Sequence, residues 1–227
     1  MRRITSLLFL LGLGLLIAAV FRDMAFGGAV LAGDAINATA AREVGAANFV
    51  SAVVLAYRGI DTLLELGILF TAAVVGGLVL GRPRPEATHD ADAGFILRAG
   101  ADLYFPLFLV VGLYIVLHGH LTPGGGFQGG VILASAFFIP VLARPGSSLD
   151  QRVISVIEGL AGAAFILIGL LAMTDGKAFL TPLLDKGKLG TLLSAGSLPL
   201  LYAAVGLKVG AELAGLLAHL ANAEAVD

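Results

Sequence analysis

The chain has 227 residues, of which 58% are hydrophobic and 13% charged, and its mean hydropathy is +0.97. Soluble domains carry about a quarter charged residues, so this composition indicates an integral membrane protein with no length left for a soluble catalytic domain. The net charge of -2 gives no indication of a nucleic-acid partner, and the absence of cysteine excludes disulfides, thiolate metal sites and iron–sulfur ligation by this chain.

The first apolar run extends from Ile4 to Val20 and follows two arginines. A basic start before a short apolar run is also typical of a signal peptide. The run is long for that role, and Phe21-Arg22-Asp23 makes a poor cleavage site, so we expect an uncleaved transmembrane helix. The polar residues between this run and Asn48 are predicted to form a loop outside the bilayer, with one short helix.

The second apolar run extends from Asn48 to Leu80. As one straight helix it would be about 50 Å long, which exceeds an ordinary bilayer. We therefore predict a break at Gly59, with Asn48 capping a short helix before it. Thr62 and Glu65 have the spacing of a capping box, which would place both at the start of the second helix.

A charged cluster lies near the same break. Arg58, Asp61 and Glu65 follow one another within two helical turns, and the two acids are four residues apart, on one helix face. Neighbouring carboxylates at a bilayer can take and release a proton or a cation. This pattern predicts an exchange site, with Arg58 moderating its charge; the alternative is that Glu65 only caps the helix.

The polar, proline-containing stretch after Gly81 predicts a linker. It divides the chain into a two-helix front module (residues 1–81), a linker (82–95) and a four-helix rear module (96–227). The third spanning segment ends at His118 and His120, whose spacing does not suit two metal ligands on one helix face, so we expect no metal site. Either histidine could relay a proton, or each could be an ordinary interfacial side chain.

A twelve-residue glycine-rich turn separates the third and fourth spanning segments. Half of its residues are glycine, which is costly unless the backbone needs it. Non-helical backbone near a membrane must be buried in protein or reached by water. We therefore expect the turn to pack against another helix or to line a wet cavity, rather than to be a flexible surface turn. Its residues are Gly119, His120, Leu121, Thr122, Pro123, Gly124, Gly125, Gly126, Phe127, Gln128, Gly129 and Gly130.

This turn resembles the signature of the MnhB domain, the B-type component of Mrp-type multisubunit Na⁺/H⁺ antiporters, a module that also occurs in energy-converting hydrogenases. Residues 57–65, Tyr-Arg-Gly-Ile-Asp-Thr-Leu-Leu-Glu, are similar to the Arg-Gly-Phe-Asp-Thr-x-x-Glu segment at the C-terminal end of the A-type component of the same antiporters, with Ile60 in place of phenylalanine. The resemblance implies an accessory membrane subunit of a cation/proton-translocating complex, with two modules fused in one chain.

The last two spanning segments contain the remaining candidate charges. Glu158 lies inside the fifth segment, where a carboxylate is costly unless it is paired or hydrated. The sixth segment is predicted to be interrupted before Pro199, as in the broken helices of ion paths. Lys208 and Glu212 are four residues apart and are predicted to pair, either at the membrane edge or as part of an ion path.

Together these observations predict an all-α polytopic protein of the plasma membrane, with about six transmembrane helices and both termini in the cytoplasm. We expect a non-enzymatic subunit without cofactor, whose partners are other membrane subunits, membrane lipid, H⁺ and Na⁺. The alternatives are a membrane-arm subunit of a hydrogenase or other respiratory redox complex, and a purely structural scaffold. The predicted ion path comprises Arg58, Asp61, Glu65, His118, His120, Glu158, Lys208 and Glu212.

Overall fold

The computed structural model describes residues 2–23, 31–81, 94–144, 147, 149–174 and 176–223, and these ranges contain helices and turns but no strand. Most of the predicted linker therefore lies outside the described residues. The helices are α1 (Arg2–Asp23), α2 (Leu31–Glu43), α3 (Phe49–Ser51), α4 (Gly59–Leu80), α5 (Gly94–Leu117), α6 (Gly126–Ala143), α7 (Gln151–Thr174) and α8 (Leu198–Ala223). Helix α3 continues directly into a π-helix, Ala52–Tyr57.

Five helices of the described part, α4 to α8, are long and apolar enough to cross a membrane. Helix α1 contributes a shorter apolar stretch, Leu7–Arg22. The predicted all-α, polytopic membrane fold is therefore confirmed. The chain forms two compact units, Met1–Ala35 and Ile36–Asp227, and the second unit contains all five long apolar helices.

Helix α8 lies at the centre of the second unit, where it packs against α4, α5, α6 and α7. Its inner face contributes Leu201, Val205 and Val209 to the hydrophobic core. More than half of the most apolar segment of α8 is buried, but only 6% of the corresponding segment of α4. Helix α4 therefore presents most of its surface outwards, to lipid or to another subunit.

The predicted break of the second apolar run occurs between the π-helix and α4. Arg58 leaves helical geometry, with φ -125° and ψ 33°, and α4 begins at Gly59. A side chain at position 59 would collide with Leu180, since a Cβ would lie 2.4 Å from its Cδ1. The predicted capping box is wrong, because the Thr62 hydroxyl instead donates to the carbonyl of Val54 across the break at 2.8 Å.

The predicted interruption of the last spanning helix is also wrong. Residues 191–197 form turns, and α8 begins only at Leu198. Pro199 is then the second residue of the helix, where a missing backbone N–H costs no hydrogen bond. The carbonyl of Ala195 accepts from the amide of Leu198 at 3.1 Å.

Candidate functional site

The glycines at the start of α6 are contact points for its two neighbouring helices. Gly126 and Gly130, one turn apart, face α8: a Cβ on them would lie 2.5 Å from Val205 Cβ and 2.8 Å from Val209 Cβ. Gly129 faces α5, where a Cβ would lie 2.4 Å from a valine methyl. Small residues allow such close approach of helices in membranes. The turn was predicted either to pack against another helix or to line a wet cavity. In the structure its glycines pack against α5 and α8 of the same chain.

The middle of the turn is held by backbone geometry and local packing. Gly125 precedes α6 with φ +146°, a value that favours glycine, and a Cβ on Gly124 would lie 3.0 Å from a carbonyl oxygen of α5. Pro123 and Gln128 are exposed, whereas Phe127 is partly buried against the core. The exposed pair gives the turn an outer surface that the rest of the described chain does not cover.

Asn48, the residue before α3, binds this turn. Its amide N–H donates to the carbonyl of His120 at 3.0 Å, and its side-chain Nδ2 donates to the carbonyls of Gly119 and Thr122 at 2.8 and 2.9 Å. Its Oδ1 caps α3 at 3.1 Å, and the hydroxyl of Ser51 also donates to Gly119. The sequence indicates only the cap, because the other partners are more than 70 positions away.

The two histidines of the turn have different surroundings. His120 is completely buried, and neither ring nitrogen forms a well-aligned hydrogen bond. Burial lowers the pKa of His120. This effect is larger than the opposing one of the nearby Thr191 and Leu192 backbone, which raises the pKa. The ring of His118 stacks on Tyr114 at 4.1 Å. Within the described residues, no three His, Cys, Asp or Glu side chains are grouped so that they could hold a metal.

The predicted exchange pair lies on the outer surface of α4. Asp61 is partly buried and binds Arg58, with Oδ2 2.5 Å from Nε, while Glu65 is exposed one turn further along. Together with Thr62 these side chains line a cavity of about 250 Å³ between the π-helix and α4. Both carboxylates therefore face outwards from this chain.

A second group of charges lies between α7 and α8, with Lys208 and Glu212 buried and Glu158 partly exposed. The Nζ of Lys208 lies 3.3 Å from Oε1 of Glu158 and 3.2 Å from Oε2 of Glu212. Lys208 is 8% exposed and Glu212 3% exposed. The ammonium group also lies 5.1 Å from the ring centre of Phe70 on α4, a favourable cation–π arrangement. We call Glu158, Lys208 and Glu212 the ion cluster.

The ion cluster lies deep in the predicted span. Lys208 is ten residues beyond the first residue of the apolar segment Leu198–Ala221, or about 15 Å along a helix and near the middle of a hydrocarbon core about 30 Å thick. The predicted pairing of Lys208 with Glu212 is therefore present, but at the centre of the helix and not at its edge. The sequence identifies Glu158 as a candidate but could not predict its contact with Lys208, because that contact depends on the packing of α7 on α8.

The ion cluster contains one basic and two acidic side chains. With all three side chains ionised, one ammonium group and two carboxylates would leave a net charge of -1, and Oε1 of Glu212 is buried without a hydrogen-bond partner. An uncompensated charge in the interior costs several kcal/mol. A proton or a monovalent cation at Glu212 would remove this excess, so the cluster has the chemistry of a reversible cation or proton site.

Residues 96–215, more than half of the chain, match a family of domains related to the MnhB subunit of the Na⁺/H⁺ antiporter. The chain belongs to the MnhB family. The chain is also 32% identical to the uncharacterized protein MJ1307 of Methanocaldococcus jannaschii over 196 residues, with 74% of each chain covered. These matches confirm the family predicted from the glycine-rich turn.

Two further kinds of relative extend this comparison. A protein of Staphylococcus aureus (strain Newman), named as an antiporter subunit, mnhB2, is 33% identical over 92 residues, which cover 38% of this chain and 63% of that one. A chain of the membrane-bound sulfane sulfur reductase, an archaeal respiratory membrane complex, is 36% identical, with a TM-score of 0.83 and coverage of 96% and 97%. A chain of the Mrp complex from Dietzia sp. DQ12-45-1b is 25% identical, with a TM-score of 0.78; the match covers 96% of this MnhB-family chain but 26% of the Mrp chain.

Proposed function

We propose that this MnhB-family chain is a membrane subunit of a multisubunit cation/proton antiporter-like complex in the plasma membrane, and that it provides part of the ion path. The observation that carries the proposal is the ion cluster, with two carboxyl groups against one lysine and an unpartnered Glu212 oxygen near the middle of a spanning helix. Ionisable residues at such depth are costly and commonly mark ion or proton pathways. Membership of the MnhB family and the likeness to the Mrp complex support the same function.

In this proposal Lys208 is the central charge of the path. It contacts both carboxylates, so a proton or cation arriving at Glu212 weakens one of its two ion pairs and leaves the ammonium group to Glu158. Departure of that cation restores the original arrangement. The ion cluster thereby alternates between two charge states without a large movement of α7 or α8.

The remaining charges have supporting roles in the same proposal. Asp61 and Glu65, with Arg58, form an outward-facing exchange pair that meets a neighbouring subunit. His118 and His120 lie at the glycine-rich turn as candidate relays. The front module (residues 1–81) and the MnhB-like module (96–227), joined by the linker (82–95), act together because Asn48 binds the turn.

The test replaces Glu212 by glutamine in the native complex. Glu212→Gln keeps the shape of the side chain but removes its charge, so we expect loss of cation-dependent proton movement in inverted vesicles, with normal amounts of assembled complex. The matched control is Glu43→Gln: Glu43 lies outside the five long apolar helices and accepts a hydrogen bond from Tyr57, which glutamine can also accept. Wild-type transport by Glu212→Gln would leave only a scaffold role for the ion cluster.

A second candidate function is a membrane-arm subunit of a respiratory redox complex. It is favoured by the match to the sulfane sulfur reductase chain, which covers nearly the full length of both chains. Because this chain has no cysteine, iron–sulfur centres of such a complex would have their thiolate ligands on other subunits, and this chain would itself carry no redox step. Purification of the native complex distinguishes the two: iron–sulfur absorbance supports a redox complex, and its absence a dedicated antiporter.

A further inference from the structure

A polar groove of about 160 Å³ extends from the ion cluster between α4 and α7, with α8 behind it. Its polar lining comes from Gln151, Ser155 and Glu158 on α7 and from Glu212 and His219 on α8. The walls contributed by α4 carry no charge. We call this space the polar groove.

The polar groove runs from the ion cluster towards one end of the helix bundle. Gln151 is the first residue of α7 and lies seven residues, or about 10 Å along the helix, from Glu158. At the same end His219 binds the carbonyl of Gly81, the residue that follows α4. The polar side chains therefore form a series from the helix ends to the buried charges.

The unpartnered oxygen of Glu212 shows what the polar groove must supply. This oxygen is buried and Glu212 lines the groove, yet no protein group donates to the oxygen. Buried polar atoms in such positions are normally satisfied by ordered water or an ion. The charged or titratable groups that face it are Lys208 on its own helix, Glu158 on α7 and His219 at the outer end.

We propose that the polar groove is a water-filled access path that connects one membrane face to Glu212 and admits protons or a monovalent cation. The proposal rests on the proposed function of the ion cluster and adds the side from which that cluster is reached. With both termini in the cytoplasm, the path opens to the cytoplasm, because the ends of α4 and α8 and the start of α7 share that face. In the assembled complex, a neighbouring subunit closes its open side.

The absence of cysteine allows a direct test by thiol accessibility. Ser155→Cys places a thiol in the polar groove of the native complex. Val156→Cys, at the next position of α7, is the matched control, since Val156 is 57% exposed on the outer side and does not line the groove. The probes are a charged, membrane-impermeant methanethiosulfonate and a membrane-soluble maleimide, with labelling read as a mass shift of this chain.

We expect the charged reagent to label Ser155→Cys from one membrane face about tenfold faster, or more, than Val156→Cys, since a charged, membrane-impermeant reagent reaches a thiol that water contacts but does not enter hydrocarbon. The maleimide should label both variants. Labelling of Ser155→Cys by the maleimide alone would overturn the access path and would mean that lipid or a partner helix fills the groove. Labelling does not depend on transport, so the two proposals can fail separately. Ser155→Cys can resist the charged reagent while Glu212→Gln abolishes transport, or it can be labelled while Glu212→Gln transports normally.

Discussion

Replacing Asn48 tests how far its side chain holds the start of α3 against the glycine-rich turn. Asn48→Ala removes the cap of α3, worth about 1 kcal/mol, and two amide–carbonyl hydrogen bonds to Gly119 and Thr122, each worth about 1 kcal/mol. The sum is a loss of about 3 kcal/mol. In a chain of this size, about 2–4 °C of Tm correspond to each kcal/mol, so we expect Tm to fall by about 6–12 °C.

The assay is thermal unfolding of the purified chain in detergent, followed by far-ultraviolet circular dichroism at one scan rate. Asn48→Asp keeps the capping oxygen but turns a carboxylate towards two carbonyl oxygens, so it should be at least as destabilising as alanine. The control is Asn37→Ala on the exposed part of α2, which should change Tm by less than about 2 °C. If Asn48→Ala behaved like Asn37→Ala, the side chain would not hold the start of α3 to the turn.

Three other variants test further parts of the structure. Gly126→Ala places a Cβ 2.5 Å from Val205 Cβ, so it should destabilise the chain by about 1–3 kcal/mol in the same assay, and Val205→Ala should restore part of the loss. Glu65→Gln should reduce transport while assembly persists; an unchanged rate would refute the exchange role of the α4 pair. Because burial lowers the pKa of His120 below its ordinary 6.5, stability should be complete above that pH and fall as the pH drops towards the folded-state value. His120→Phe should remove this part of the pH dependence of Tm. An unaltered pH profile would mean that protonation of His120 does not cause the loss of stability.

The spanning helices could be predicted from the sequence because each is a long apolar run, and the membrane permits few other structures for such runs. The length of the second apolar run predicted that it must break, and the glycine at position 59 indicated where. The two wrong details, the capping box at Thr62 and the interruption before Pro199, share a cause. Each depends on where a helix begins, and this is set by contacts between distant residues, such as Leu180 against Gly59.

The candidate site was predictable only in part. Charged residues in apolar runs identify Glu158, Lys208 and Glu212 one at a time, and the spacing of the last two predicts their contact. The link from Lys208 to Glu158 spans 50 positions and requires the packing of α7 on α8. The polar groove could not be predicted, because Gln151 and His219 have no unusual sequence context and meet only through the fold.

The most direct test of the ion cluster is an infrared difference spectrum of the native complex, recorded as the pH is lowered in the absence of transported cation. We predict a carboxylic acid band that is present in the wild type and in Glu43→Gln but lost in Glu212→Gln, because Glu212 takes up the proton. Identical spectra for the wild type and Glu212→Gln would mean that the buried carboxylate never exchanges a proton, and would contradict its place in a proton path.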